Sequence, residues 1–95
     1  MLFCFICMDK PGSAALRADT RPTHLAYLDK FMDRIAIAGP LQTEDRAAPT
    51  GSLMILDFGS REEADTFARN DPYAKAGLFE SVTVTPFKKV FPTPS

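Results

Sequence analysis

Residues 2–8, Leu-Phe-Cys-Phe-Ile-Cys-Met, form an unbroken apolar run near the start of the 95-residue chain. Read as a β-strand, successive side chains point to opposite sides of the sheet, so a seven-residue apolar run leaves neither side polar. Residues 52–58 repeat the pattern, with Leu53 and Ile55 on one face and Met54, Leu56 and Phe58 on the other. Two such strands admit few folds. Each reads as a strand buried on both faces, so both faces of the sheet need cover.

The remaining segments say what the cover is. Asp9 to Ser13 reads as a loop and residues 14–18 as a short helical turn, broken at Thr20-Arg21-Pro22. A helix is then expected to open with Asp19 or Thr20 as N-cap and Pro22 near its first position. It would run to about Ile35, with Leu25, Leu28, Met32 and Ile35 as its inward stripe. Residues 36–41 read as a short strand interrupted by Gly39-Pro40. A polar loop follows over 42–51, turning at Pro49-Thr50-Gly51. Ser60-Arg61-Glu62-Glu63 is a capping box that opens a second helix, with Ala64, Phe67 and Ala68 inward. That helix must end near Asn70, because the residue before Pro72 is disfavoured in helical conformation. Residues 72–77 allow one more short turn. The last strand spans 80–91, alternating Val82 and Val84 against Thr83 and Thr85, with Pro86 marking an edge or a bulge. Residues 92–95 read as a loose tail.

The order is β-α-β-β-α-β, the α+β ferredoxin-like arrangement with an antiparallel sheet, in one domain with its core over about residues 1–91. Two helices cover one face of such a sheet and leave the other open. Since the two central strands are apolar on both faces, a monomer would expose a large patch. The expected cover is a second copy of the chain, a homodimer with its sheets packed face to face.

Eleven basic against 12 acidic residues give a formal charge of −1, so no electrostatic footprint favours nucleic acid or an anionic membrane. No apolar run approaches the roughly 20 residues of a membrane-spanning helix. The first residues lack the basic region of a signal peptide, and a cytoplasmic protein is expected. Cys4 and Cys7 have redox-pair spacing, but in a strand they point to opposite faces with Cα atoms about 10 Å apart. A disulfide needs less than about 7 Å. One histidine cannot complete a zinc site with them, so they read as buried packing residues and no metal is expected.

Chemistry centres on His24, the one histidine. In the first turn of a helix its ring would be kept neutral by the dipole, as a general base requires. Asp71 is the carboxylate that could accept from Nδ1, fix the tautomer and leave Nε2 free. The alternative is that Asp71 merely caps a turn before Pro72 while His24 is half-buried packing. Arg17 and Arg21 could hold an anionic substrate or be ordinary surface arginines. Thr50-Gly51-Ser52 could offer hydrogen bonds to a ligand or be a turn. Tyr73, Phe79 and Phe87 could line an apolar pocket or belong to the core.

Arg21-Pro22-x-His24, Ala38-Gly39-Pro40, Thr50-Gly51-Ser52, Asp71-Pro72-Tyr73 with Ala76-Gly77-Leu78, and Val84-x-Pro86-Phe87-x-x-x-Phe91, in that order, resemble the YciI-like (YCII-related domain) family over nearly the whole chain. The resemblance implies a dimeric ferredoxin-like α+β barrel and a site in which His24 and Asp71 match the family's histidine–aspartate pair. One characterised relative eliminates chloride from a chlorinated hydroxyhydroquinone, and the fold resembles that of muconolactone isomerase. By that analogy the chain is a small lyase or isomerase moving a proton on a small cyclic or phenolic substrate, with no cofactor. His24 would be the base and Asp71 its orienter. Arg21, Gly39, Pro40, Gly51, Ser52, Tyr73 and Phe87 would contact substrate, the backbone near Gly39 or Gly51 stabilising an enolate. The loop 43–49 looks short, and no contact is carried over to it. A non-catalytic ligand-binding module and an accessory domain are the competing readings.

Overall fold

The computed structural model describes residues 1–93. Seven elements follow one another: β1 (Leu2–Asp9), α1 (Ala14–Asp29), β2 (Ile35–Gln42), β3 (Pro49–Asp57), α2 (Arg61–Asn70), α3 (Pro72–Lys75) and β4 (Phe79–Phe87). The strands form one sheet in the order β2-β3-β1-β4, and every neighbouring pair is antiparallel. The two strands that are apolar on both faces therefore occupy the centre. This is the α+β, ferredoxin-like arrangement expected of the chain, with α3 as an added turn before β4.

Strand register sorts the side chains. Phe3, Phe5 and Cys7 stand opposite Leu56, Met54 and Ser52 and share the face beneath the helices. There they join Leu28, Phe58, Ala64 and Phe67 in the buried core. Cys4 and Ile6 stand opposite Ile55 and Leu53, with Thr85 and Thr83 on the other flank, and share the uncovered face. Both cysteines are free thiols on opposite faces, as the strand geometry requires. Val82 and Val84 lie opposite Cys7 and Phe5, so their alternation with the threonines is the alternation of the two faces.

Five local expectations need correction. First, α1 does not break at Thr20-Arg21-Pro22: it is one helix of 16 residues with Pro22 inside it and Ser13 at its N-cap. Pro22 has no N–H to donate to the Ala18 carbonyl, which ordinarily costs a helix about 3 kcal/mol. A single helix nevertheless places Arg17, His24 and Leu28 on one buried face, and that burial outweighs the defect. Second, the apolar stripe is not the inward one. Leu28 is buried, but Leu25 and Met32 are 41% and 65% exposed, and Ile35 belongs to β2 because α1 ends at Asp29.

Third, Gly39-Pro40 does not interrupt β2. As an edge strand β2 pairs only with β3, so an imide nitrogen facing away from the ladder is harmless. Fourth, Thr50-Gly51-Ser52 is strand, and the turn lies over residues 43–48, closed by the Thr43 amide donating to the Ala48 carbonyl at 2.9 Å. Fifth, β4 ends at Phe87, leaving Val90 and Phe91 exposed. Its irregular pairing falls at Met8/Asp9 rather than at Pro86, since β4 is also an edge. Of the expected loose tail, residues 94–95 lie outside the described residues.

Candidate active site

A cavity of about 430 Å³ opens between α1, the β2 edge and the start of β3. The helix face turned toward it carries Ala14, Arg17, Ala18, Arg21, His24 and Leu28, spaced by three and four residues. The two alanines leave the space and the other positions furnish it.

His24 lies well inside α1, buried to 6% exposure, so the helix-start argument for a neutral ring has no basis here. What orients the ring is Asp71. The His24 Nδ1 and Asp71 Oδ1 are 2.9 Å apart, and both side chains are buried. A carboxylate only accepts, so Nδ1 is the donor of this contact and Nε2 is the ring nitrogen left for another partner. Asp71 closes α2 and begins α3, where the same Oδ1 accepts the Tyr73 amide at 2.9 Å. Capping and contact with the imidazole, posed as alternatives, are therefore served by one oxygen. Asp71 Oδ2 is buried with no hydrogen-bond partner among the described residues.

Tyr73 lies against His24, the rings stacked with centroids 4.0 Å apart and planes 20° from parallel. The Arg17 guanidinium carbon sits 4.5 Å from the centre of the same phenol ring. Arg17 and His24 are two turns apart on α1, about 10.5 Å, so the phenol fills the gap between them. Arg17 is held by two bonds to Asp9, Nε to Oδ2 at 2.7 Å and Nη2 to Oδ1 at 2.9 Å. Its Nη2 also donates to Ser52 Oγ at 2.9 Å. With its acceptor site taken by the arginine, the Ser52 hydroxyl keeps its own proton to donate beside the cavity.

Electrostatics follow from this burial. Burial works against the Arg17 charge, but the Asp9 bonds more than offset it and hold the guanidinium above its ordinary pKa. Burial pushes the Cys7 thiol up to about 12, with the Asp71 charge adding to the rise and Arg17 opposing it. Cys7 is thus no nucleophile near neutral pH. Burial also raises the Tyr73 phenol, against the fields of Arg17 and Arg21.

Of the residues singled out in the sequence, His24, Arg21, Gly39, Pro40, Ser52 and Tyr73 line the cavity, and Asp71 stands behind His24. Gly51 does not line it; a side chain there would run into the Cys7 carbonyl of β1, which accounts for the glycine. Phe87 is not in the cavity either: it pairs with Leu2 and is 42% exposed. The Tyr73 ring meets Phe79 at the start of β4, and Phe87 lies eight residues, about 26 Å, further along the strand. Sequence reasoning missed Asp9, the partner of Arg17. It also dismissed the 43–49 loop, which supplies Arg46, Ala47, Ala48 and Pro49 to the wall. Among the described residues no cluster of three or more potential metal ligands occurs, and no helix is long and apolar enough to cross a membrane.

A four-stranded antiparallel sheet in this order, with its helices on one face, is the fold of the dimeric α+β barrel proteins. SnoaB, a cofactor-independent oxygenase from Streptomyces nogalater, shares the fold at a TM-score of 0.56 and 8% identity, over 96% of this chain and 95% of that one. The sequence is more particular: the model of the YCII-related domain matches residues 1–88, and the chain belongs to that family. Protein YciI of Escherichia coli O6:H1 is 43% identical over 98 residues, spanning 96% of this chain and 100% of that protein. The 5-chloro-2-hydroxyhydroquinone dehydrochlorinase TftG of Burkholderia phenoliruptrix AC1100, solved with 2,5-dihydroxybenzoquinone, is 36% identical. It superposes at a TM-score of 0.90 over 99% of this chain and 100% of its own.

Proposed function

We propose that this protein is a small lyase or isomerase that moves a proton on a small cyclic or phenolic substrate, with His24 as base and Asp71 as its orienter. The observation that carries the reading is the buried 2.9 Å contact between His24 Nδ1 and Asp71 Oδ1 at the wall of the cavity. It leaves Nε2 as the lone pair available to a bound molecule. When Nε2 takes a proton, the imidazolium forms beside a carboxylate already in place, so little reorganisation accompanies the transfer. The Ser52 hydroxyl, polarised by Arg17, can donate to an oxygen on which charge develops. Similarity to a dehydrochlorinase over the full chain supports an elimination in which a proton and chloride leave a hydroxylated ring. The cavity, at about 430 Å³, is within the size range of sites for small molecules.

The competing reading keeps the cavity and drops the turnover. Chloride release from 5-chloro-2-hydroxyhydroquinone separates the two. His24→Gln is expected to lose about 10²–10⁴-fold in rate with its far-UV circular dichroism unchanged. Asp71→Asn is expected to lose less, because the ring survives with a poorer orienter. A wild type that binds 2,5-dihydroxybenzoquinone yet releases no chloride from the chlorinated compound would leave a binding module.

The proposal includes a homodimer. Ile6, Leu53, Ile55 and Ile37 line the uncovered sheet face, Ile37 with 59% of its surface exposed, and no charged side chain interrupts the central rows. An identical face supplies an equally apolar, equally uncharged cover. Sedimentation velocity should show two chains for the wild type and one for Ile6→Lys.

A further inference from the structure

The charged side chains that line the cavity are Arg17, Arg21 and Arg46, and no Asp or Glu lines it. This is a marked departure from a chain whose acidic residues outnumber its basic ones, 12 to 11. The three cations are not equivalent. Arg17 is buried and its charge is matched by the two bonds from Asp9. Arg21 on the helix wall and Arg46 on the loop wall are exposed, and neither makes an ion pair among the described residues.

The loop that carries Arg46 is built to hold it. Arg46 has a φ of 61°, a left-handed conformation that a residue with a side chain adopts only under constraint. The constraint is a net of bonds: the Arg46 amide to the Thr43 carbonyl at 2.9 Å, Thr43 Oγ1 to Asp45 Oδ1 at 2.6 Å, and the Ala47 amide to the same Asp45 oxygen at 3.0 Å. Arg46 Nη1 donates to the Glu44 carbonyl at 2.6 Å, which leaves the other guanidinium nitrogens free. Across the opening, Arg21 lies one turn from His24 on the same helix, and its field is felt at the Tyr73 phenol. Two unmatched guanidiniums on opposite walls, above a stacked His24–Tyr73 pair, make a receptor for negative charge at the cavity mouth.

We propose that Arg21 and Arg46 form an anion clamp that selects the ionised form of a small cyclic substrate. Acidic oxygens of the ring, whether enolate, phenolate or carboxylate, are held between the two walls, and the carbon skeleton is presented to His24 below. The clamp rests on the proton-transfer reading for its purpose, but not for its detection. Neutral phenols and lactones of the same size gain no attraction from the two guanidiniums, which stay hydrated, and bind more weakly than the ionised forms.

The test uses calorimetry with 2,5-dihydroxybenzoquinone, a diacid that is anionic at neutral pH, and with its neutral dimethyl ether, 2,5-dimethoxybenzoquinone. The wild type should bind the anion, at least about tenfold more tightly than the ether, and more weakly as ionic strength rises. Arg46→Gln and Arg21→Gln should each weaken the anion about five- to tenfold and leave the ether unchanged, while Arg46→Lys should retain most of the affinity. Failure of the wild type to bind the anion, equal binding of the ether, or an Arg21→Gln/Arg46→Gln double variant with wild-type affinity would each overturn the clamp. His24→Gln measured beside them separates the two ideas. If it retains turnover while the arginine variants lose affinity, the base is wrong and the clamp stands. If it loses turnover while the arginine variants bind normally, the clamp is wrong and the base stands.

Discussion

The two halves of α1 rest on the same sheet yet cover opposite kinds of interior. From Tyr27 onward the helix and the turn after it enter an aromatic cluster, where Phe67 meets Phe31, Phe5 and Phe58 at centroid distances of 4.9, 5.2 and 5.3 Å. From Ala14 to His24 the same face carries small residues, arginines and a histidine, and a cavity takes the place of the rings. The aromatic half satisfies the hydrophobic effect and anchors the helix. The polar half can then carry Pro22, a buried guanidinium and a buried imidazole, each unfavourable alone. Aromatic packing and the polar cavity wall are divided along one helix.

The division can be broken from either side. The largest effect belongs to the aromatic half: Phe67→Ala should lower the unfolding free energy by about 3–5 kcal/mol in urea melts while the affinity for small ligands in surviving native protein stays within twofold or so. Next comes the polar half. Asp9→Ala strands the Arg17 guanidinium in a site where both side chains are less than a tenth exposed, and should cost about 3 kcal/mol. Arg17→Met added to it should recover part of that loss, which a simple packing defect would not allow. The last effect is one of pH. A thiol whose folded-state value is raised from 9.0 to about 12 binds its proton more tightly folded than unfolded. Its contribution is intact below pH 9 and is lost as pH rises from there toward 12. Melting temperature should therefore fall across that window, and less steeply in Cys7→Ala.

The sequence was most readable where local rules and tertiary burial agree. The two strands read as apolar on both faces, β1 and β3, are the central pair of the sheet. Ser60 caps α2 by accepting the Glu63 amide at 3.2 Å, although the Glu63 carboxylate reaches back to the Gly59 amide rather than to that of Ser60. Reading failed where they conflict. Pro22 is a strong local stop, overridden because Arg17, His24 and Leu28 must share one helix to reach the interior. The inward face of α1 is marked by Arg17, His24 and Leu28 rather than by Leu25 and Met32, and the spacing of Arg17, Arg21 and His24 is the sequence signal of the polar wall. Asp9 could not be paired with Arg17 from sequence, because the pairing depends on how the chain turns at Gly12, with a φ of 72°. His24 and Asp71 are 47 positions apart: residue chemistry nominates the pair with capping as its alternative, family resemblance favours it, and the fold brings the two atoms within 2.9 Å.

One oxygen of Asp71 serves both the imidazole and the first turn of α3. Four residues make a helix that cannot persist by itself. Whatever unwinds α3 withdraws the carboxylate and lets the imidazole swing, while the sheet stays whole. The temperature range over which the site keeps its geometry is thus tied to its shortest helix, and changes at Ala74 or Lys75 would move that range without replacing His24, Asp71 or the Tyr73 ring stacked on the imidazole.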